Sequence, residues 1–184
     1  MFGENKGGRK MHVNYYHFGL FVGLFVGCLI AGILLRFVKT EGSWRCRFDE
    51  RQELHRGRGY KYGFYTLLCY IVVDYVVINV FEKQWAAEGV DILIGVIVSV
   101  GVYAIYCIFH EAFLSLNENP KRYVAVIIFC MLLNGLGAVM QFQHNQVIEN
   151  GHLTSHCLNL VCAVLMAVVL IALALKYGIS QKED

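Results

Sequence analysis

Proline is almost missing from this chain: a single residue, Pro120, in 184. It precedes the fourth apolar run, so no apolar run holds a proline to break its helix. Charge is missing over long distances too. No Lys, Arg, Asp or Glu occurs between Lys10 and Arg36, from Ile92 to His110, from Tyr123 to Ile148, or from Asn150 to Leu175. The run from Tyr62 to Phe81 contains one charged residue, Asp74. No C-x-x-C pair occurs, and six of the seven cysteines fall within apolar runs. They read as small apolar packing groups rather than metal ligands or bridges. There is no glycine-rich phosphate loop, nucleophile elbow or zinc-protease helix string. These absences leave no enzyme class, catalytic residue, metal or cofactor to point to.

What is present is apolar length. Crossing a hydrocarbon layer of about 30 Å takes about 20 helical residues, and each run is that long. Backbone polar groups must be paired in lipid, which makes such runs helices. The 57% hydrophobic content and mean hydropathy of +0.51 agree. The expected fold is an all-α integral membrane protein, a single domain over 1–184. Its five spans lie near 15–37, 62–81, 91–111, 122–143 and 153–176. The loop 38–61 separates the first two and carries a short interfacial helix ahead of the second span.

Orientation follows from Lys and Arg in short loops. The N-terminus, second loop and fourth loop share a side and carry Lys6, Arg9, Lys10 and Lys83. The other side carries the remaining twelve of the sixteen basic residues, eight of them from Arg36 to Lys61. The expectation is a multi-pass protein of the cell membrane, N-terminus outside and C-terminus cytoplasmic. Phe25-Val26-Gly27-Cys28 resembles a lipobox, but the chain stays apolar to Leu35. An uncleaved first helix is therefore the reading.

Gly19, Gly23 and Gly27 recur every four residues, with Ala31 continuing the series. The spacing stacks them on one helical face, a glycine zipper at which another backbone can approach closely. It serves packing within the bundle or association with a second copy or a partner membrane protein.

The loop before the second span carries Phe48-Asp49-Glu50-Arg51-Gln52, then Arg56-Gly57-Arg58-Gly59-Tyr60-Lys61-Tyr62-Gly63-Phe64. Asp49 and Gln52 have the spacing of a capping box. Gly57, Gly59 and Gly63 suggest a loosened elbow. Asp49, Glu50, Arg51, Gln52, Arg56 and Arg58 would form a cytoplasmic docking surface. This string resembles one found in a family of small multi-pass membrane proteins of Gram-positive bacteria, in which it lies near the N-terminus ahead of four spans. The family has no established activity, so the resemblance implies architecture and a cytoplasmic C-terminus, not chemistry. The chain departs from the family by its first forty residues and the extra span.

Counting from the ends of the runs places Asp74, Ser99 and Asn134 at similar depth. An acid inside a membrane is costly and should find partners, so the three are expected to form an intramembrane polar layer, with Asp74 against the fourth span. On the outer side His144, His152 and His156 gather, and the last two have the four-residue spacing that puts two imidazoles on one helix face. Such an exofacial cluster would bind a metal or haem or sense pH, though no third ligand is fixed by spacing. Basic residues beside spans read as lipid-facing, which leaves nucleic acid out of the partners and the bilayer in. The function read from these features is a non-enzymatic regulatory or scaffolding component of a membrane assembly. The alternative is a minimal transporter or proton pathway centred on Asp74 and Asn134.

Overall fold

A computed structural model describes residues 15–39, 46–87, 89–145, 147–149 and 151–180. The basic tail Lys6, Arg9 and Lys10, together with Arg45 and Lys182, lies outside them. Among the described residues there are five α-helices and one minimal hairpin. They run α1 (Tyr15–Val38), α2 (Glu50–Asn79), α3 (Val90–Phe109), α4 (Pro120–Gln143), β1 (Ile148–Glu149), β2 (His152–Leu153) and α5 (Cys157–Ser180). Helices α2 to α5 are long and apolar enough to cross a membrane, while the apolar stretch described in α1, Phe25–Val38, is shorter. The all-α expectation fits, with the hairpin an addition to it.

The chain divides into two compact units, Met1–Phe37 and Val38–Asp184. In the first, the side chains described between Phe25 and Phe37 include no buried one. A Cβ added at Gly27 or Gly32 would meet nothing within 4 Å. The surroundings of Gly19 and Gly23 lie outside the described side chains.

In the second unit α3 packs against α2 and α5, and α5 against α4, giving the order α2, α3, α5, α4. Helices α2 and α4 begin, and α3 and α5 finish, at one end, called basal here; the opposite end is apical. The core follows the central pair: Ala104 and Ile108 of α3 are buried with Val169, Ala172 and Leu173 of α5. Close approach is made by scattered glycines. An added Cβ at Gly63 would lie 3.1 Å from the Ser99 carbonyl oxygen, at Gly95 2.4 Å from the Tyr70 ring, and at Gly101 2.6 Å from Leu165. Dispersion across such small-residue contacts holds apolar helices together when both faces are equally apolar.

Helix α2 departs from expectation. Its start is the expected capping box: Asp49 Oδ1 accepts from Gln52 N–H at 2.6 Å, and Gln52 Oε1 accepts from Asp49 N–H at 3.3 Å. No elbow follows. The interfacial segment and the apolar run form one helix of 30 residues, about 45 Å long at a rise of about 1.5 Å per residue. Gly57, Gly59 and Gly63 are all helical, and the last two are buried. Glycine at Gly59 and Gly63 therefore admits α3 rather than bending the chain. Helix α4 opens with Asn119 Oδ1 accepting from Lys121 N–H at 3.0 Å, and Pro120 occupies the first turn. There its missing donor removes no helical bond.

Candidate functional site at the basal end

The most heavily built polar region is the loop from His110 to Asn119, which joins α3 to α4. Helix α3 ends in a Schellman arrangement. Ala112 N–H donates to the Cys107 carbonyl at 2.8 Å and Glu111 N–H to the Ile108 carbonyl at 3.2 Å. Glu111 takes the left-handed position at φ 57°, which glycine adopts without the steric penalty a side chain brings.

Groups from the preceding segment and α2 then fasten the loop. Gln52 Nε2 donates to the carbonyls of Glu111 at 2.8 Å and Leu114 at 3.4 Å, so one side chain both caps α2 and holds the loop. Arg56 Nη1 donates to the Ala112 carbonyl at 3.4 Å while its guanidinium lies 4.0 Å over the Phe48 ring. Arg47 N–H donates to Asn117 Oδ1 at 3.2 Å, and Leu116 N–H returns a bond to the Arg47 carbonyl at 2.8 Å. Asn119 N–H reaches the Val38 carbonyl at 3.0 Å, and Lys39 bridges Glu118 through the backbone. Inside the loop, Ser115 Oγ donates to Asn117 Oδ1 at 2.8 Å, and Ser115 N–H to Glu118 Oε2 at 3.0 Å. Lys39, Ser115 and Asn117 are buried. Buried polar groups are tolerated when they are bonded, and a connected set fixes a single conformation.

A cavity of about 350 Å³ opens under this loop, with Gln52, Glu111, Glu118 and Lys176 among its polar lining and Ile108 and Leu173 among its apolar lining. Lys176 Nζ lies 3.0 Å from Glu111 Oε1. That hydrogen bond and the ammonium charge hold the Glu111 carboxyl below its ordinary range. Beside the cavity an aromatic ladder follows the α2–α3 seam. Tyr60 stacks on Tyr103 at 4.5 Å between ring centres, Tyr106 on His110 at 4.0 Å, and His55 lies 4.7 Å from His110. His110 Nδ1 donates to the Tyr106 carbonyl at 2.8 Å, which assigns that nitrogen its proton.

The docking residues therefore divide. Asp49, Gln52 and Arg56 are engaged in holding the basal end together, while Glu50, Arg51 and Arg58 remain on the exposed face of α2. Sequence reasoning missed Ser115, Asn117 and Glu118. Three polar residues closely spaced ahead of Pro120 were the available signal.

The expected polar layer is not assembled. Asp74 accepts from Trp85 Nε1 at 2.8 Å, and α2 and α4 are separated by α3 and α5 in the packing order. Ser99 Oγ donates to the Val96 carbonyl at 2.9 Å and Asn134 Nδ2 to the Cys130 carbonyl at 2.9 Å, each within its own helix. Helix α2 ends at Asn79, so Asp74 lies little more than a turn from its apical end, where the α2–α3 loop turns Trp85 back onto it.

The histidine cluster is corrected too. His152 belongs to strand β2, and His156 precedes α5, so their four-residue spacing is not a helical one. His152 Nδ1 instead meets the Gln84 carbonyl, and His144 is the exposed C-cap of α4. Among the described residues no three His, Cys, Asp or Glu side chains are grouped to hold a metal ion. This apical end is closed by backbone pairing: Leu153 N–H donates to the Trp85 carbonyl at 3.0 Å and Ala87 N–H to the Leu153 carbonyl at 2.7 Å.

No protein-family model, no curated protein and no solved structure matches the chain.

Proposed function

We propose that the protein is an integral membrane protein of the cell membrane that acts without catalysis, as a scaffolding or regulatory component of a membrane assembly. Its basal end would face the cytoplasm. Support for the membrane comes from apolar side chains that water would penalise: Val72 is 62% exposed, Leu136 62% and Ile171 58%, each on a different helix. Apolar surface repeated along several helices marks a face made for lipid or protein. The excess of Lys and Arg at the basal end and the resemblance of the Asp49–Gln52 string favour the cytoplasmic orientation.

The observation that carries the scaffolding reading is the basal loop, fixed by bonded, partly buried polar groups beside the exposed Glu50, Arg51 and Arg58. Charges carried on a helix that is fastened to an ordered loop are held in fixed positions, as docking requires. Ser99 and Asn134 return hydrogen bonds to their own helices, which favours the scaffolding reading over a proton pathway. The experiment has two arms. In proteoliposomes carrying a pH-sensitive dye, no proton flux is expected, with or without Asp74→Asn. In mild detergent, Arg51→Glu with Arg58→Glu should dissociate any larger assembly while leaving the melting midpoint of the protein unchanged. Proton flux abolished by Asp74→Asn would overturn the reading.

A further inference from the structure

We propose that the basal cavity is a binding site for the headgroup of a zwitterionic phospholipid that carries a primary ammonium. This inference rests on the membrane reading above and names a ligand for one cavity. Its size of about 350 Å³ falls in the range of small-ligand sites, about 300–1,000 Å³.

Charge selects the ligand. The lining carries one cation, Lys176, and two carboxylates, Glu111 and Glu118. A ligand that satisfies both signs must present an anion and a cation together. A purely anionic headgroup would gain Lys176 but face the two acids. Phosphate suits the lysine ammonium, a compact point charge. An ammonium with three N–H donors suits the carboxylates, whereas a trimethylated one has no N–H to donate. Glu118 already accepts from Ser115 N–H, yet a carboxylate has about four acceptor positions.

Two further observations agree. The Lys176–Glu111 pair is open to solvent, with side-chain exposures of 31% and 61%, and exposed ion pairs are weak. A ligand with both charges can therefore take its place. The accessible apolar lining, Phe113, Leu114 and Leu116, gives the glycerol and first acyl carbons a surface to lie on, where apolar helices meet polar loops.

The test uses the full chain purified in maltoside micelles, titrated with phosphatidylethanolamine, phosphatidylcholine, phosphatidylglycerol or acyl-free glycerophosphoethanolamine. The readout is the melting midpoint, because a ligand of the folded state raises it. Phosphatidylethanolamine should raise it with an apparent affinity about tenfold or more above the other three. Lys176→Gln and Glu111→Gln should each weaken that response about tenfold. Should either variant fail to fold, the comparison of lipids on the unmodified chain still decides. Equal responses to all three lipids, or the strongest response to phosphatidylglycerol, would overturn the site while leaving the membrane reading intact. Glycerophosphoethanolamine matching the lipid would overturn the lipid source and point to a soluble ligand of the same chemistry. A chain that stays in solution without detergent would instead overturn the membrane reading.

Discussion

Replacing glycine by alanine at two positions separates packing from backbone preference. Gly57 is helical and exposed, and an added Cβ meets nothing within 4 Å. Alanine is favoured over glycine inside a helix by about 1 kcal/mol, so Gly57→Ala should stabilise by about that much. Gly95 gains the same preference, but its Cβ would lie 2.4, 2.6 and 3.0 Å from three atoms of the Tyr70 ring. The ring cannot shift cheaply, because the Tyr70 hydroxyl donates to the Asp91 carbonyl at 2.9 Å. Overpacking costs about 1–3 kcal/mol and a lost hydrogen bond about 1 kcal/mol. After the helical gain, Gly95→Ala should destabilise by about 1–3 kcal/mol. The two variants would then differ by about 2–4 kcal/mol, readable by unfolding with a denaturing detergent in mixed micelles. A destabilising Gly57→Ala would mean that the chain bends there and that α2 is not one helix. Equal behaviour of the two would mean that Tyr70 does not pack on Gly95.

Gln52→Glu keeps an acceptor for the Asp49 amide but places a carboxylate against the Glu111 and Leu114 carbonyls. It should cost about 1–3 kcal/mol, more than Gln52→Ala, and raise amide exchange in residues 111–116 measured by mass spectrometry. Asp74→Asn retains an oxygen for the Trp85 indole and should change stability by less than about 0.5 kcal/mol. Trp85→Phe, which removes the donor, should cost about 1 kcal/mol in the same unfolding assay. The Glu111 carboxyl is held low by Lys176, so the pair contributes above the unfolded-state value near 4.5 and is lost as pH falls through the depressed folded value. Because the pair is exposed, acid titration of the melting midpoint should show a small decline below about pH 4.5 that Lys176→Gln removes.

How far sequence led depended on the range of each interaction. Asp49 and Gln52 are three residues apart, so their capping box could be read directly and was found in place. The apolar runs marked α2 to α5 because length and composition are themselves local properties. The glycines were legible only in part. Gly19 and Gly23 lie outside the described side chains. The close approaches described are at Gly59, Gly63, Gly95, Gly101 and Gly137, and spacing along one helix does not say which helix faces it. Asp74 was assigned a depth from Tyr62, but α2 starts at Glu50, and its partner Trp85 lies in a loop whose fold depends on Leu153. The segment holding His152 showed an Asn-Gly pair at 150–151, a hairpin signal outweighed by the spacing of the histidines. The knot around Ser115 and Asn117 joins residues some seventy positions apart, a distance over which pattern reading carries no information.

The account depends most on a membrane that separates the basal and apical ends, and an impermeant maleimide tests that directly on intact cells. Cys46 lies exposed in the basal segment and Glu149 exposed in the apical hairpin. In a Cys46-only background Cys46 should label only after permeabilisation, while Glu149→Cys, made with Cys46→Ser, should label at once. Labelling of both positions from the same side, or release of the unmodified protein by alkaline carbonate, would contradict the account.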